Sequence, residues 1–300
     1  MFLKSSIPTA KRYKVTCNFL GDGLMRAATI QQALTALGLF AIGATFAAPV
    51  QAQESAEDLA KQTQNPVADL ISVPFQNNIN FNVGPLNKTQ NILNIQPVIP
   101  IHLNSDWNLI TRTIVPVISQ PEFFHGEGRT NGLGDTQFTA FLSPARSEGL
   151  IWGVGPIVQL PTNTNNLASD KWGLGPSAVA LRMDGPWVYG ALVNNVWSIA
   201  SGGPNGPNAA PFNQFLLQPF INYNFPDGLY LVSAPIITAN WKAERDKDTW
   251  TVPLGGGVGK LFRIDKLPVN TQVQAFYNVK TPEYGPNWTL RLQVQFLFPQ

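Results

Sequence analysis

From about residue 71 onward the chain is a succession of segments in many of which every second residue is apolar and the residues between are polar yet hardly ever charged, the alternation being less clean around Gly153–Gly155, Gly173–Gly175 and Gly255–Gly259. In LRLQVQFLFPQ, Leu290 to Gln300, one parity holds Leu290, Leu292, Val294, Phe296 and Phe298, and the other holds Arg291, Gln293 and Gln295. A period of two places these sets on opposite faces of a β-strand. The division recurs. Val73, Phe75, Ile79, Phe81 and Val83 stand against Gln76, Asn78, Asn80 and Asn82, and Leu93, Ile95, Ile99 and Ile101 against Asn94, Gln96 and His102. Phe215, Leu217, Ile221, Tyr223 and Phe225 alternate with Gln214, Gln218, Asn222 and Asn224; Val269, Val273, Tyr277 and Val279 alternate with Asn270, Gln272, Gln274 and Asn278. Alternation alone fits a soluble sheet with one buried face as well as a membrane barrel.

Strand length favours the barrel. Twelve candidates are expected, near 71–83, 90–103, 107–119, 133–143, 150–161, 172–183, 187–199, 213–225, 229–241, 249–262, 268–280 and 288–298. A strand crossing a bilayer needs about 9 to 11 residues, whereas strands of ordinary sheets commonly have about 5 or 6. The connections also fall into two classes. Those after even-numbered strands are short, as at Asn104-Ser105-Asp106, Asp184-Gly185-Pro186 and Pro226-Asp227-Gly228. Those after odd-numbered strands are mostly longer and polar, as at 121–131, 162–171, 201–211, 242–248 and 281–287. Short periplasmic turns and longer outer loops are the habit of even-stranded outer-membrane barrels. Trp107, Phe123, Phe124, Trp152, Trp172, Trp187, Trp197, Trp241, Trp250, Tyr284 and Trp288 cluster near strand ends, where two interfacial girdles would lie. The expected fold is thus an all-β, antiparallel up-and-down transmembrane barrel of about twelve strands, with a soluble β-sandwich or lectin-like fold as the alternative.

Residues 1–52 read as a leader. The basic start at Met25-Arg26, the apolar run Ala33 to Ala48 and the small-x-small stretch Val50-Gln51-Ala52 make a secretory signal peptide cleaved after Ala52, with Met25 as a possible true start. Without them, fifteen basic and seventeen acidic residues remain, so the slight basicity of the whole chain belongs to the leader and a nucleic-acid partner loses its electrostatic basis. The single cysteine, Cys17, goes too, leaving no disulfide. Residues 53–70 then form a short periplasmic N-terminal segment, helical or a small plug, or else an unstructured leader, ahead of a barrel at 71–300.

Catalytic groups are sparse. His102 lies beside a short turn and His125 in an outer loop near Glu122 and Glu127, so the two are expected on opposite sides of the membrane and form no hydrolase triad. The Glu122, His125, Glu127 group reads as a solvated loop face more readily than as a cation site. The run Gly255 to Gly259 lacks the following helix of a phosphate cradle and more simply provides a bend or interior room. Lys260 and Arg182 fall on the outward parity near turn ends, where long side chains reach water. The informative set faces the lumen: Asn78, Asn80, Asn94, Gln96, Arg112, Gln137, Gln218, Asn222, Gln272, Gln274, Arg291, Gln293 and Gln295. Carboxamides donate and accept without fixed charge, which suits uncharged or weakly anionic solutes; alternatively they bond to one another and pack the interior shut.

The stretch QTQNPVADLISVPFQNNINFNVGP, Gln62 to Pro85, together with Asn91 to Leu103, Gly132 to Pro144, Gly155 to Thr162 and the terminal QVQFLFP, resembles the outer-membrane family labelled "MetA-pathway of phenol degradation", whose members are often called transporters. The resemblance implies an outer-membrane barrel that passes small hydrophobic or aromatic molecules; it implies no catalytic residue, metal or cofactor. The expected protein is a monomer in the bacterial outer membrane. Its partners would be membrane lipid, a small solute and the assembly machinery that reads a C-terminal aromatic, here Phe298 followed by Pro299 and Gln300. A non-transporting envelope or surface-binding barrel, or a barrel hydrolase, are the alternatives.

Overall fold

The computed structural model describes residues 55–147, 149–203 and 208–298. The expected leader and its cleavage point lie outside them. After helix α1 (Ala56–Thr63) come β1 (Ile71–Val83), β2 (Lys88–Ile95), β3 (Val98–His102), β4 (Trp107–Gln120), β5 (Thr130–Leu133), β6 (Thr136–Pro144), β7 (Leu150–Leu160), β8 (Lys171–Asp184), β9 (Trp187–Ser201), β10 (Asn213–Asn224), β11 (Leu229–Ser233), β12 (Ile237–Asn240), β13 (Trp250–Ile264), β14 (Leu267–Lys280) and β15 (Trp288–Phe298). Each pairs antiparallel with its neighbours, and β15 closes onto β1 from Ile71 opposite Phe298 to Phe81 opposite Trp288. The strands β2 and β3, β5 and β6, and β11 and β12 are halves of single crossings, so the closed barrel has twelve passes. Closure removes every sheet edge.

The three broken passes depart from the continuous strands expected at 90–103, 133–143 and 229–241. Pro97 has no amide to give the ladder. The backbone there is held instead by the Gln96 amide donating to the Pro74 carbonyl at 2.9 Å and the Thr113 amide to the Pro97 carbonyl at 3.0 Å. Gly134, between β5 and β6, packs onto Pro116, whose Cγ would lie 2.8 Å from any added Cβ. The third break falls at Ala234-Pro235-Ile236. A smaller correction concerns Val83. The register of β1 against β2 shifts between Asn80 and Val83, with Asn82 in the left-handed region, and Val83 is buried instead of joining the outward apolar set.

Parity otherwise has the expected meaning. Leu292, Val294 and Phe298 are exposed on the outer face, while Arg291, Gln295 and Leu297 of the same strand are buried inside. Ile99, Ile101, Val154, Leu174, Ile221, Leu231, Leu254, Val258 and Val273 continue an exposed apolar belt around the barrel. It is flanked by aromatic contacts at both ends: Trp187–Tyr223 and Trp107–Trp152 at the turn end, Trp241–Trp250 and Tyr277–Trp288 at the loop end. Such a belt between two girdles is a lipid-facing surface. Lys260 lies at the turn end, where Nζ meets the Asp227 carboxylate at 2.6 Å.

An eight-residue helix is too short to hold itself in water, and α1 is held by the barrel. Leu59 and Ala60 are buried with Leu70, Tyr230, Val232, Leu261 and Leu297. Ala56 lies under Gly228 of the turn between β10 and β11. Val67, in the segment that follows, packs with Ile110, Phe141, Val179, Leu181, Val188, Leu192 and Phe220. The chain thus enters the turn end of the barrel and fills it before β1 begins.

Candidate functional site

Above that apolar floor the described residues enclose three cavities in series. The outer one, about 680 Å³, opens among the loops and is walled by Gln137, Asn194, Gln214, Asn240, Arg245, Asp248 and Glu283. The middle one, about 240 Å³, shares Gln137, Asn194 and Leu216 with it and adds Asn94, Gln96, Arg112, Asp135, Ser177 and Gln218. The inner one, about 150 Å³, shares Gln76, Gln96, Arg112, Leu192 and Gln218 with the middle and ends on Gln62 to Pro66 of the N-terminal segment. The widest space lies at the loop end.

Eleven of the residues anticipated from parity wall these cavities. Asn94 and Gln137 are in the middle cavity; Gln96, Arg112 and Gln218 are in both the middle and the inner; Asn222, Gln272, Gln274, Arg291, Gln293 and Gln295 are in the inner. Asn78 and Asn80 face inward but serve neighbours: Asn78 Oδ1 accepts from Arg291 Nε at 3.0 Å, while Asn80 bonds to Gln90 and Thr289. Gln274 donates to Gln272 at 2.9 Å and Gln137 to Gln159 at 3.2 Å, while Gln272 and Gln274 still line the inner cavity and Gln137 the middle one.

Three interior groups are missing from the lumen set expected from sequence. Gln76 lines the throat between the inner and middle cavities and had a signal in its parity. Asp135 had none. Buried at the break between β5 and β6, it accepts from Asn163, Ser169 and Gln159, tying the 162–170 loop to the wall. Tyr230 occupies the interior beside Gly259, where an added Cβ would meet its ring at 2.2 Å, and its hydroxyl donates to Asn270 at 2.6 Å. Gly259 therefore makes room for the Tyr230 ring, whereas Gly255, Gly256 and Gly257 lie close against the backbone of neighbouring strands.

The N-terminal segment is fastened to the wall by polar bonds as well. Gln64 and Asn224 exchange hydrogen bonds of 2.7 and 3.1 Å, and Asn270 donates to Thr63 at 3.1 Å. At the other end the mouth carries a charged latch. Arg245 meets Asp248 at 2.5 Å and Glu283 at 2.6 Å, and the Glu283 amide donates to Asp248 at 2.8 Å. The Glu283 amide, with Arg245, holds the Asp248 carboxyl below its ordinary range, and Arg245, then Lys247, does so for Glu283. Glu122 is likewise lowered, first by Lys88 and then by the Gly128 amide, so it serves its own loop. Of the histidines, His102 meets Asp69 at 2.7 Å at the turn end, whereas His125 sits in the loop between β4 and β5 at the opposite end. They do not converge on one site.

One further cavity lies on the outside of the wall. Pro156 and Pro176 stand opposite each other on β7 and β8, and the pairing of β8 with β9 skips from Leu174 opposite Trp197 to Ser177 opposite Asn194. Without those two amides and with Gly155, Gly175 and Ala178 around them, the surface is indented. The resulting groove of about 900 Å³ is bordered by Val154, Leu174, Val193, Trp197, Ile199 and Phe215. Ser177 and Asn194 belong to both this groove and the middle cavity.

Among solved structures, an outer membrane channel from Pseudomonas putida F1 superimposes with a TM-score of 0.59 at 19% identity, over 78% of this chain and 96% of that one. The fold is that of an outer-membrane barrel. A NanC porin aligns at 7% identity, over 77% of this chain and 100% of its own, with a TM-score of 0.49. Outer membrane phospholipase A from Escherichia coli aligns at 14% identity, over 83% and 99%, with a TM-score of 0.40. No protein-family model matches the sequence, and no curated protein does.

Proposed function

We propose that this barrel is a passive channel for small molecules, aromatic and hydrophobic ones included. The observation that carries the reading is the series of three cavities with shared walls, running from the loop end to the N-terminal segment. A barrel serving only envelope structure would have no need of a graded polar lumen; filled eight-stranded barrels pack theirs shut. The apolar groove supports the solute class, because it gives a hydrocarbon surface within two residues, Ser177 and Asn194, of the middle cavity. The resemblance of Gln62 to Pro85 to the phenol-degradation barrels points the same way. In this reading the N-terminal segment is a gate at the periplasmic end, and the loops with the Arg245 latch face outward.

Planar-bilayer recording tests the channel, and solute-driven swelling of vesicles tests its range. Stepwise conductance is expected from the wild type. Substituting Ala178→Trp, which fills the groove from its floor, should slow an apolar solute such as benzyl alcohol more than a sugar of similar size. No conductance at any voltage together with no swelling would refute the channel and leave a barrel that only binds or supports.

A further inference from the structure

We infer that the inner cavity is a binding site for small organic carboxylates with an aromatic or short aliphatic body. The inference rests on the channel reading and names its solute class. The inner cavity holds two guanidinium groups, Arg112 and Arg291, and no Asp or Glu among its described walls. All their described partners are neutral. Arg112 donates to Gln96; Arg291 donates to Asn78 at 3.0 Å and to the Ala234 carbonyl at 2.8 Å, and its guanidinium lies 4.8 Å from the centre of the Phe276 ring. Neither takes part in an ion pair among the described residues. Asp135, the carboxylate of the middle cavity, is already engaged by Gln159, Asn163 and Ser169.

A charge taken out of water is costly unless a counter-charge and hydrogen bonds replace the solvent. Arg291 is only 5% exposed, and the neutral acceptors around it orient the guanidinium without balancing it. A mobile anion entering the cavity supplies that balance. Arginine forks match a carboxylate in two parallel hydrogen bonds, and the surrounding carboxamides Gln76, Gln218 and Gln293 supply further donors. Leu192, Phe220 and Val232 add a hydrocarbon patch to this otherwise polar wall. A fully hydrated inorganic ion makes poor use of such a surface, whereas a ring or short chain bearing one carboxylate satisfies both halves.

Isothermal titration of the detergent-purified barrel with benzoate, chloride being in large excess, tests this, with benzamide as the uncharged analogue of the same shape. Benzoate should bind and benzamide should bind about tenfold or more weakly, the scale of one charge-assisted pair. Arg112→Gln and Arg291→Gln should each weaken benzoate by a similar factor, the double variant should abolish it, and the exposed-loop Arg129→Gln should leave it unchanged. Folding is checked by the mobility difference between unheated and heated samples on a detergent gel. Equal binding of benzoate and benzamide, no benzoate heat, or undiminished binding by R112Q/R291Q each overturns the inference; the benzoate–benzamide comparison needs no variant. Bilayer conductance of the same preparation separates the two proposals. Benzoate heat without conductance would sink the channel and keep the site, and conductance without benzoate heat would do the reverse.

Discussion

If the N-terminal segment is the gate, loosening its two apolar anchors should open the barrel without unfolding it. Leu59 is 2% exposed in one cluster and Val67 is 6% exposed in another, so their truncations touch different neighbours and should add. Leu59→Ala removes a buried isobutyl group, a loss of about 2 to 5 kcal/mol. Val67→Ala removes less, about 1.5 kcal/mol at the low end. Together the lower ends come to about 3.5 kcal/mol, a factor of about 300 in any equilibrium between a seated and a released segment. The barrel itself should survive, because its ladder from β1 to β15 closes independently of α1. In planar bilayers the double variant should therefore show larger conductance or a much higher open fraction than wild type, with unchanged heat-modifiable mobility. Gln64→Leu, which removes the paired bonds to Asn224, should give a smaller shift in the same direction. Identical conductance and open fraction in wild type and L59A/V67A, with the variant folded, would show that the segment is structural filling and no gate.

Two further outcomes follow from the wall and the mouth. Leu292→Lys puts a charge on the exposed lipid face at mid-strand, opposite Asn77 and Val273, and should lower stability in vesicles by about 2 to 4 kcal/mol. Ile264→Lys, at the turn end, should cost no more than about 1 kcal/mol; equal denaturant midpoints for the two would contradict the assigned membrane position. At the mouth, Asp248 and Glu283 have lowered pKa values in the folded loop, so the latch is complete at neutral pH and its contribution is lost as pH falls through those depressed values. Amide exchange at Glu283, whose N–H is held by Asp248, should therefore speed up, after correction for intrinsic rates, only below the ordinary carboxylate range; exchange that loosens at alkaline pH instead would reverse the sign.

Much of the barrel was legible because its physics is local in sequence. A strand has a period of two, and a wall between lipid and a wet lumen must alternate, so Leu292 and Arg291 declare their faces wherever the strand sits. The same logic named most of the lumen, Arg112 and Arg291 included. It failed where a residue's surroundings come from elsewhere in the chain. Val83 left its face at a register shift with β2, and although Asn78 and Asn80 face inward as expected, their bonds to Arg291, Gln90 and Thr289 could not be read from parity. Asp135 carried no periodic signal, since its partners Gln159, Asn163 and Ser169 come from β7 and the loop that follows it.

By itself, then, the sequence pointed to a wall of about twelve strands with a lipid belt, aromatic girdles and a carboxamide-rich opposite face, because each depends on alternation, strand length and turn chemistry. Only the tertiary structure decided how full that interior is. Whether carboxamides from distant strands meet or leave space, whether α1 lies outside the barrel or seals it, and whether two guanidinium groups share one cavity without a carboxylate all depend on distances across the lumen. Those distances are set by closure of β15 onto β1, and no local period records them.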